Sequence, residues 1–164
     1  MVRHHHSLGK EGATSGFLGG TAVAVWFLIL DILKGRPLHT PSILGQVIMF
    51  GSVAPETDHV VIGAVISYTL LHLAVFVAMG LLVTEIVHLA VTSPLFRFAL
   101  MMSFVVFQVF FYGFTYVFFV ATRQLFPWWE VLIADTLAVA AMMSYLWHQH
   151  PSIKRALAHH ALGE

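Results

Sequence analysis

Four stretches of the chain, about residues 13–34, 59–91, 95–121 and 127–148, are almost uniformly apolar and hold only one or two Asp, Glu, Lys or Arg residues each. A helix that crosses a bilayer needs about 20 apolar residues, so each stretch is long enough to span. Hydrocarbon offers no water to a free N–H or C=O group, and a lone strand would leave its backbone unpaired there. The spans must therefore be helical. This predicts an all-α fold, a transmembrane four-helix bundle forming one domain over residues 1–164, with tails at 1–12 and 149–164.

Composition points the same way and closes off other classes. Apolar residues make up 59% of the chain, charged residues only 10%, and the mean hydropathy is +0.85, outside the balance of a soluble globule. Membrane lipids are thus the first partners of this surface. Eight basic residues against eight acidic leave no net charge, hence no electrostatic footprint for nucleic acid. Cysteine is absent, which excludes disulfides, thiolate metal sites and cysteine nucleophiles. Three of the eleven histidines form the run His4 to His6 and carry little weight as native ligands. Arg3 and Lys10 ahead of an apolar run resemble a signal peptide, but the run is bilayer-length and no small-residue cleavage site follows it, so it reads as the first span.

Helix boundaries follow from capping chemistry. Ser93 and Pro94 suit the N-cap and first turn of the third span, Pro127 with Glu130 starts the fourth, and Thr57 or Asp58 can cap the second. Trp128 and Trp129 at one end of the last span and Tyr145 and Trp147 at the other read as two aromatic belts. The second span is longer than the hydrocarbon is thick and must tilt, protrude or break. Between the first two spans, residues 40–51 are apolar but too short to cross. Thr40 as N-cap and Pro41 in the first turn predict a short interfacial or re-entrant helix. Arg3, Lys10, Arg97, Lys154 and Arg155 fall on one side, Lys34, Arg36 and Arg123 on the other. Five against three places both termini in the cytoplasm.

Polar residues inside the spans are the places to look for function, because each must be paired, hydrated or neutral there. Asp31 and Asp135 fall at similar shallow depth near the outer side, where Arg36 and Arg123 can pair with them as a structural cluster or where a proton, cation or substrate can bind. His72 lies near the middle of its span. It suits a hydrogen bond across helices, a haem or chlorin ligand, or a proton relay, although no second central histidine supports a bis-histidine haem.

Glu85 and His88, three apart, share a helix face in the spacing of di-metal carboxylate bundles, but only one copy of that motif occurs, so they read as an interfacial hydrogen-bonded pair; His148 falls at the same end as His88, where the two can hold a peripheral metal or haem. Glu56, Asp58, His59 and His39 form an outer loop cluster. Gln108 and Tyr112 are the central polar stripe of an aromatic-rich third span, whose walls suit quinones, carotenoids and chlorins as well as protein neighbours. In the first span Gly12, Gly16, Gly20 and Ala24 recur every fourth residue, a stripe for close helix packing, either within the bundle or against a partner. No nucleophile motif, phosphate-binding glycine loop or HExxH pattern occurs, so nothing supports an enzyme.

The stretch from Trp26 to Asp31, the segment Gly35-Arg-Pro-Leu-His-Thr-Pro-Ser-Ile-Leu-Gly45 and the later Tyr68-Thr-Leu-Leu-His72 resemble uncharacterised small bacterial four-helix integral membrane proteins, over about residues 14–150. That resemblance implies a bacterial membrane setting and marks 35–45 as a family feature; it brings no activity. The expectation is a non-catalytic accessory or structural subunit of a bacterial membrane complex, of respiratory or photosynthetic type, with protein partners in the cytoplasmic (inner) membrane. The alternative is a small transporter or cofactor-binding protein using Asp31, Asp135 and His72. Neither a metal nor a specific cofactor is identified by the residues.

Overall fold

A computed structural model describes residues 8–92 and 127–149, together with the helical positions Phe98, Met102, Val105, Gln108, Val109 and Gly113. Four helices stand out among the described residues: α1 (Leu8–Leu33), α2 (His39–Phe50), α3 (Ile62–Thr92) and α4 (Trp128–Gln149). No strand occurs among them. α1, α3 and α4 are long and apolar enough to cross a membrane; α2 is the short helix expected between the first two spans. The expected span at 95–121, with Ser93, Pro94, Arg97, Tyr112 and Arg123, lies outside the described residues apart from the isolated helical positions named above, as do His4 to His6 and the C-terminal tail.

α1 is the hub. It packs along α3 on one side and α4 on another, while α2 packs mainly on α3. The glycine stripe explains how. A side chain at Gly12 would lie 2.7 Å from the Cα of Leu81, one at Gly16 would fall on the Phe76 carbonyl, and one at Gly80 would meet the Gly12 carbonyl and the Gly16 backbone. Gly20 faces Phe76 and Leu73. The stripe is therefore used inside this chain, with α1 and α3 antiparallel and their backbones in direct contact. Ala24, its last member, is exposed. Gly19 points elsewhere, onto Met142 of α4. Val23, Phe76, Ala134 and Ala138 close the core where the three long helices meet, and Val87 with Leu146 forms a second, smaller cluster.

α3 runs unbroken for 31 residues, about 46 Å at roughly 1.5 Å per residue, so of the three expected outcomes breaking is the one not taken. It ends beside the start of α1, whereas α4 begins beside the end of α1.

Two boundary expectations are corrected. α2 begins at His39, and its N-cap position is Leu38 in the left-handed region (φ 64°) with no side-chain cap of its own; Thr40 is the second helical residue. α3 begins at Ile62 rather than 59, so neither Thr57 nor Asp58 caps it. Instead the Val61 N–H donates to Ser42 Oγ of α2 at 2.9 Å. At its other end α2 stops on Gly51, also left-handed (φ 65°), and Ser52 N–H returns to the Gln46 carbonyl at 3.0 Å.

The α1–α3 contact yields a direct test. Gly16→Ala drives a methyl into backbone that cannot swing aside and should lower stability in mild detergent by about 1–3 kcal/mol. Gly63→Ala meets open space and should leave stability unchanged or slightly raised. Equal effects of the two in an unfolding titration would remove the close-approach argument.

Candidate functional site

The polar residues within and beside the spans gather in three places, and most hold one helix to another. At the C-terminal end of α1 the chain turns back on itself: Lys34 N–H donates to the Leu30 carbonyl, Gly35 N–H to Ile32, and Arg36 N–H to the Asp31 carbonyl at 2.8 Å. Gly35, at φ 72°, supplies the left-handed step this turn requires. The turn delivers the start of α2 to the Asp31 side chain. Oδ2 accepts the Thr40 backbone N–H and Oδ1 accepts the Thr40 hydroxyl, each at 2.7 Å, in a site where Asp31 is only 3% exposed. A carboxylate at the positive end of a helix, taking an otherwise orphaned N–H, is a capping interaction supplied from another element.

Asp31 therefore does not pair with Arg36, as the sequence led us to expect. The Arg36 Nη1 lies 3.4 Å from His39 Nε2 instead. Partial burial of His39, and then the positive charge of Arg36, lower its pKa below the ordinary value; Asp31 opposes this and Lys34 adds to it. Beside this turn Lys34 Nζ bonds Glu130 Oε1 of α4 at 2.6 Å, and Trp26 Nε1 donates to the Glu130 carbonyl at 3.0 Å. Glu130, in the first turn of α4 as expected, is a buried carboxylate shared between the helix dipole and a lysine.

At the other end of the bundle His88 Nε2 lies 3.1 Å from Glu11 Oε2. The expected partner on its own helix, Glu85, is exposed. Glu11 went unnoticed in the sequence because it falls in the expected polar tail 1–12, yet α1 starts at Leu8 and carries Glu11 into its first turn, where it is buried. His148 is exposed, and no group of three or more His, Asp or Glu is placed to hold a metal ion among the described residues. In the loop between α2 and α3 His59 Nδ1 lies 3.3 Å from Glu56 Oε1, both exposed, and His39 is engaged elsewhere. Gln46, another residue the sequence did not single out, donates from Nε2 to the Glu56 carbonyl at 3.1 Å and accepts the Glu56 N–H at 2.8 Å, pinning this loop to α2.

The third place is a cavity of about 250 Å³ between α1, α2 and α3. Its wall is mainly apolar, with Asp31 and Thr40 toward one end and Tyr68 and His72 toward the other. His72 makes the cross-helix hydrogen bond that its mid-span position suits: Nε2 lies 3.0 Å from the Gly20 carbonyl, which is reachable because glycine leaves it uncovered. Its ring lies 4.7 Å from that of Phe76 and 5.7 Å from that of Tyr68. Asp31 and His72 thus share a cavity, whereas Asp135 does not line it. Asp135 is 2% exposed on α4, next to core Ala134, and its Oδ2 has no hydrogen-bond partner among the described residues. Gln108 is half-buried, with its Nε2 likewise unpartnered among them.

Comparison with protein-family models, with curated proteins and with solved structures returns no match.

Two outcomes test this description. Asp31→Ala should cost about 1–3 kcal/mol, since it strands the Thr40 N–H and hydroxyl, while Asp31→Asn keeps an acceptor for the N–H and should cost clearly less. Identical losses in an unfolding titration would contradict the cap. For His39, the folded chain favours the neutral ring. It binds fewer protons than the unfolded chain once pH drops beneath about 6.5, so the stability involved is complete above that value and is lost as pH falls through the folded-state pKa. An NMR titration should give a His39 midpoint below 6.5, raised but not fully restored by Arg36→Gln, because burial is the larger cause.

Proposed function

We propose that this chain is a non-catalytic integral membrane protein of the bacterial cytoplasmic membrane, acting as an accessory or structural subunit of a larger membrane complex of respiratory or photosynthetic type. The observation that supports this reading is the use made of the buried carboxylates. Asp31 caps α2, Glu130 ties α1 to α4, and Glu11 contacts His88 of α3. Groups so engaged act as fasteners, and among the described residues they leave no converging set of acid, base and nucleophile of the kind a reaction needs. Asp31 and Asp135, the pair on which a transport pathway would be built, do not share the cavity. The exposed apolar flanks of α1, α3 and α4 face lipid and, in this reading, neighbouring subunits. Four crossings return both termini to one side, the cytoplasmic one by the five-to-three lysine and arginine bias.

A second reading, a ligand-binding membrane protein, is favoured by one specific observation: the cavity that brings Asp31, Tyr68 and His72 together on a mainly apolar wall.

Purification from native membranes in mild detergent should yield the chain in a complex with defined protein partners, and a lone monomer would overturn the accessory reading. Asp135→Asn should leave any ion or solute flux in proteoliposomes unchanged; its loss would replace a structural role with transport.

A further inference from the structure

We infer that the cavity between α1, α2 and α3 holds the head group of a quinol, a neutral aromatic ring bearing hydroxyls, with its hydrocarbon tail lying in the bilayer. The inference rests on the second reading above and gives it a ligand class.

Size comes first. At about 250 Å³ the cavity falls below the roughly 300–1,000 Å³ that engulfs a whole drug-sized molecule, so it accommodates one ring-sized group. Val25 and Leu28, which line it, are also exposed on the outer surface of α1, so a chain attached to that ring passes directly into lipid. The lining contains Phe27 and Tyr68 as aromatic surface for an aromatic guest.

The polar groups then select the head. Tyr68 and His72 lie one turn apart on α3 and both line the cavity. A carbonyl can only accept, so in the bond to Gly20 the His72 Nε2 is the protonated nitrogen, and in the neutral ring Nδ1 remains as an acceptor. The Tyr68 hydroxyl can donate, and neither it nor Nδ1 has a hydrogen-bond partner among the described residues. Thr69 is not available as a donor, since its hydroxyl donates to the Val65 carbonyl at 2.7 Å. Tyr68 and His72 thus offer a donor and an acceptor one turn apart on the cavity wall, the complement of a hydroxyl, which accepts and donates.

Charge excludes the common alternatives. No lysine or arginine lines the cavity among the described residues, and Asp31 places a carboxylate on its wall, so a fatty acid or a phosphate head group meets repulsion from that side. A cationic head finds a single carboxylate among the described lining residues, each oxygen of which already accepts one bond from Thr40.

The test uses the full chain in nanodiscs of phosphatidylcholine, with decylubiquinol, decylubiquinone, decanol and decanoate as probes. Retention by native mass spectrometry and the ligand-induced rise in unfolding temperature are read against protein-free discs. Decylubiquinol should bind one-to-one and about tenfold more tightly than decylubiquinone, which lacks the hydroxyl proton for His72. Tyr68→Phe and His72→Phe should each weaken it about tenfold, and Ala24→Phe, placing a ring into the cavity from an exposed lining position, should abolish binding without lowering the ligand-free unfolding temperature. Should His72→Phe fail to fold for want of its bond to Gly20, Tyr68→Phe still decides, because it removes one oxygen and no bond within the described residues. Quinol held no more tightly than quinone or decanol, or unaffected by Tyr68→Phe, overturns the quinol assignment and leaves a ligand cavity standing. If none of the four probes is retained, the second reading falls with it.

Discussion

Where α1 and α3 cross, no side chain of α1 keeps the two backbones apart. Gly12 and Gly16 on one helix and Gly80 on the other let main chain rest on main chain, and everything polar along that seam takes its position from this register. It brings the uncovered Gly20 carbonyl within reach of His72, and it sets Glu11 opposite His88 about 13.5 Å back along α1, at roughly 1.5 Å of rise per residue. In a solvent that cannot reward apolar contact between helices, close van der Waals approach and such cross-helix bonds supply the association. The fold is thus held by its smallest residues, with the larger ones filling what those leave open.

The second fastening works through a helix dipole. α2 cannot cap itself, because its N-cap position is a leucine in the left-handed region. The carboxylate of Asp31, nine residues before Thr40 and on the last turn of α1, does so instead, and the tight turn at Gly35 makes the distance coverable. Asp31 thereby acquires an electrostatic partner without a cation: the partial positive charge of the helix end and two hydrogen bonds stabilise it. Lys34 is left for Glu130, so one turn of chain joins α1 to both α2 and α4.

How far the sequence was legible depended on the range of the physics involved. The lengths and hydropathy of α1, α3 and α4 are local properties, and so is the short apolar segment at α2; all four were readable from the residues themselves. Caps were misplaced wherever the acceptor came from elsewhere. Thr40 looks like an N-cap but is the residue being capped, and Val61 is capped by Ser42 of another helix. Glu11 was hidden by its polar neighbours in an apparent tail, Gln46 by an apolar context, and the Glu85–His88 spacing pointed to a partner on the wrong helix. The cavity could not be foreseen, since its wall comes from three separate elements, although both of its polar anchors, Asp31 and His72, were visible as residues that hydrocarbon would not tolerate alone.

The grip of Gln46 on Glu56 has a consequence for how the loop between α2 and α3 can vary. The amide side chain takes both the N–H and the C=O of one residue, as a neighbouring strand would, so the midpoint of the loop is fixed with no sheet present. Added length on either side of that anchor can bulge outward into water, one small loop before it and one after. Insertions that part Glu56 from this grip would instead free the whole connection at once.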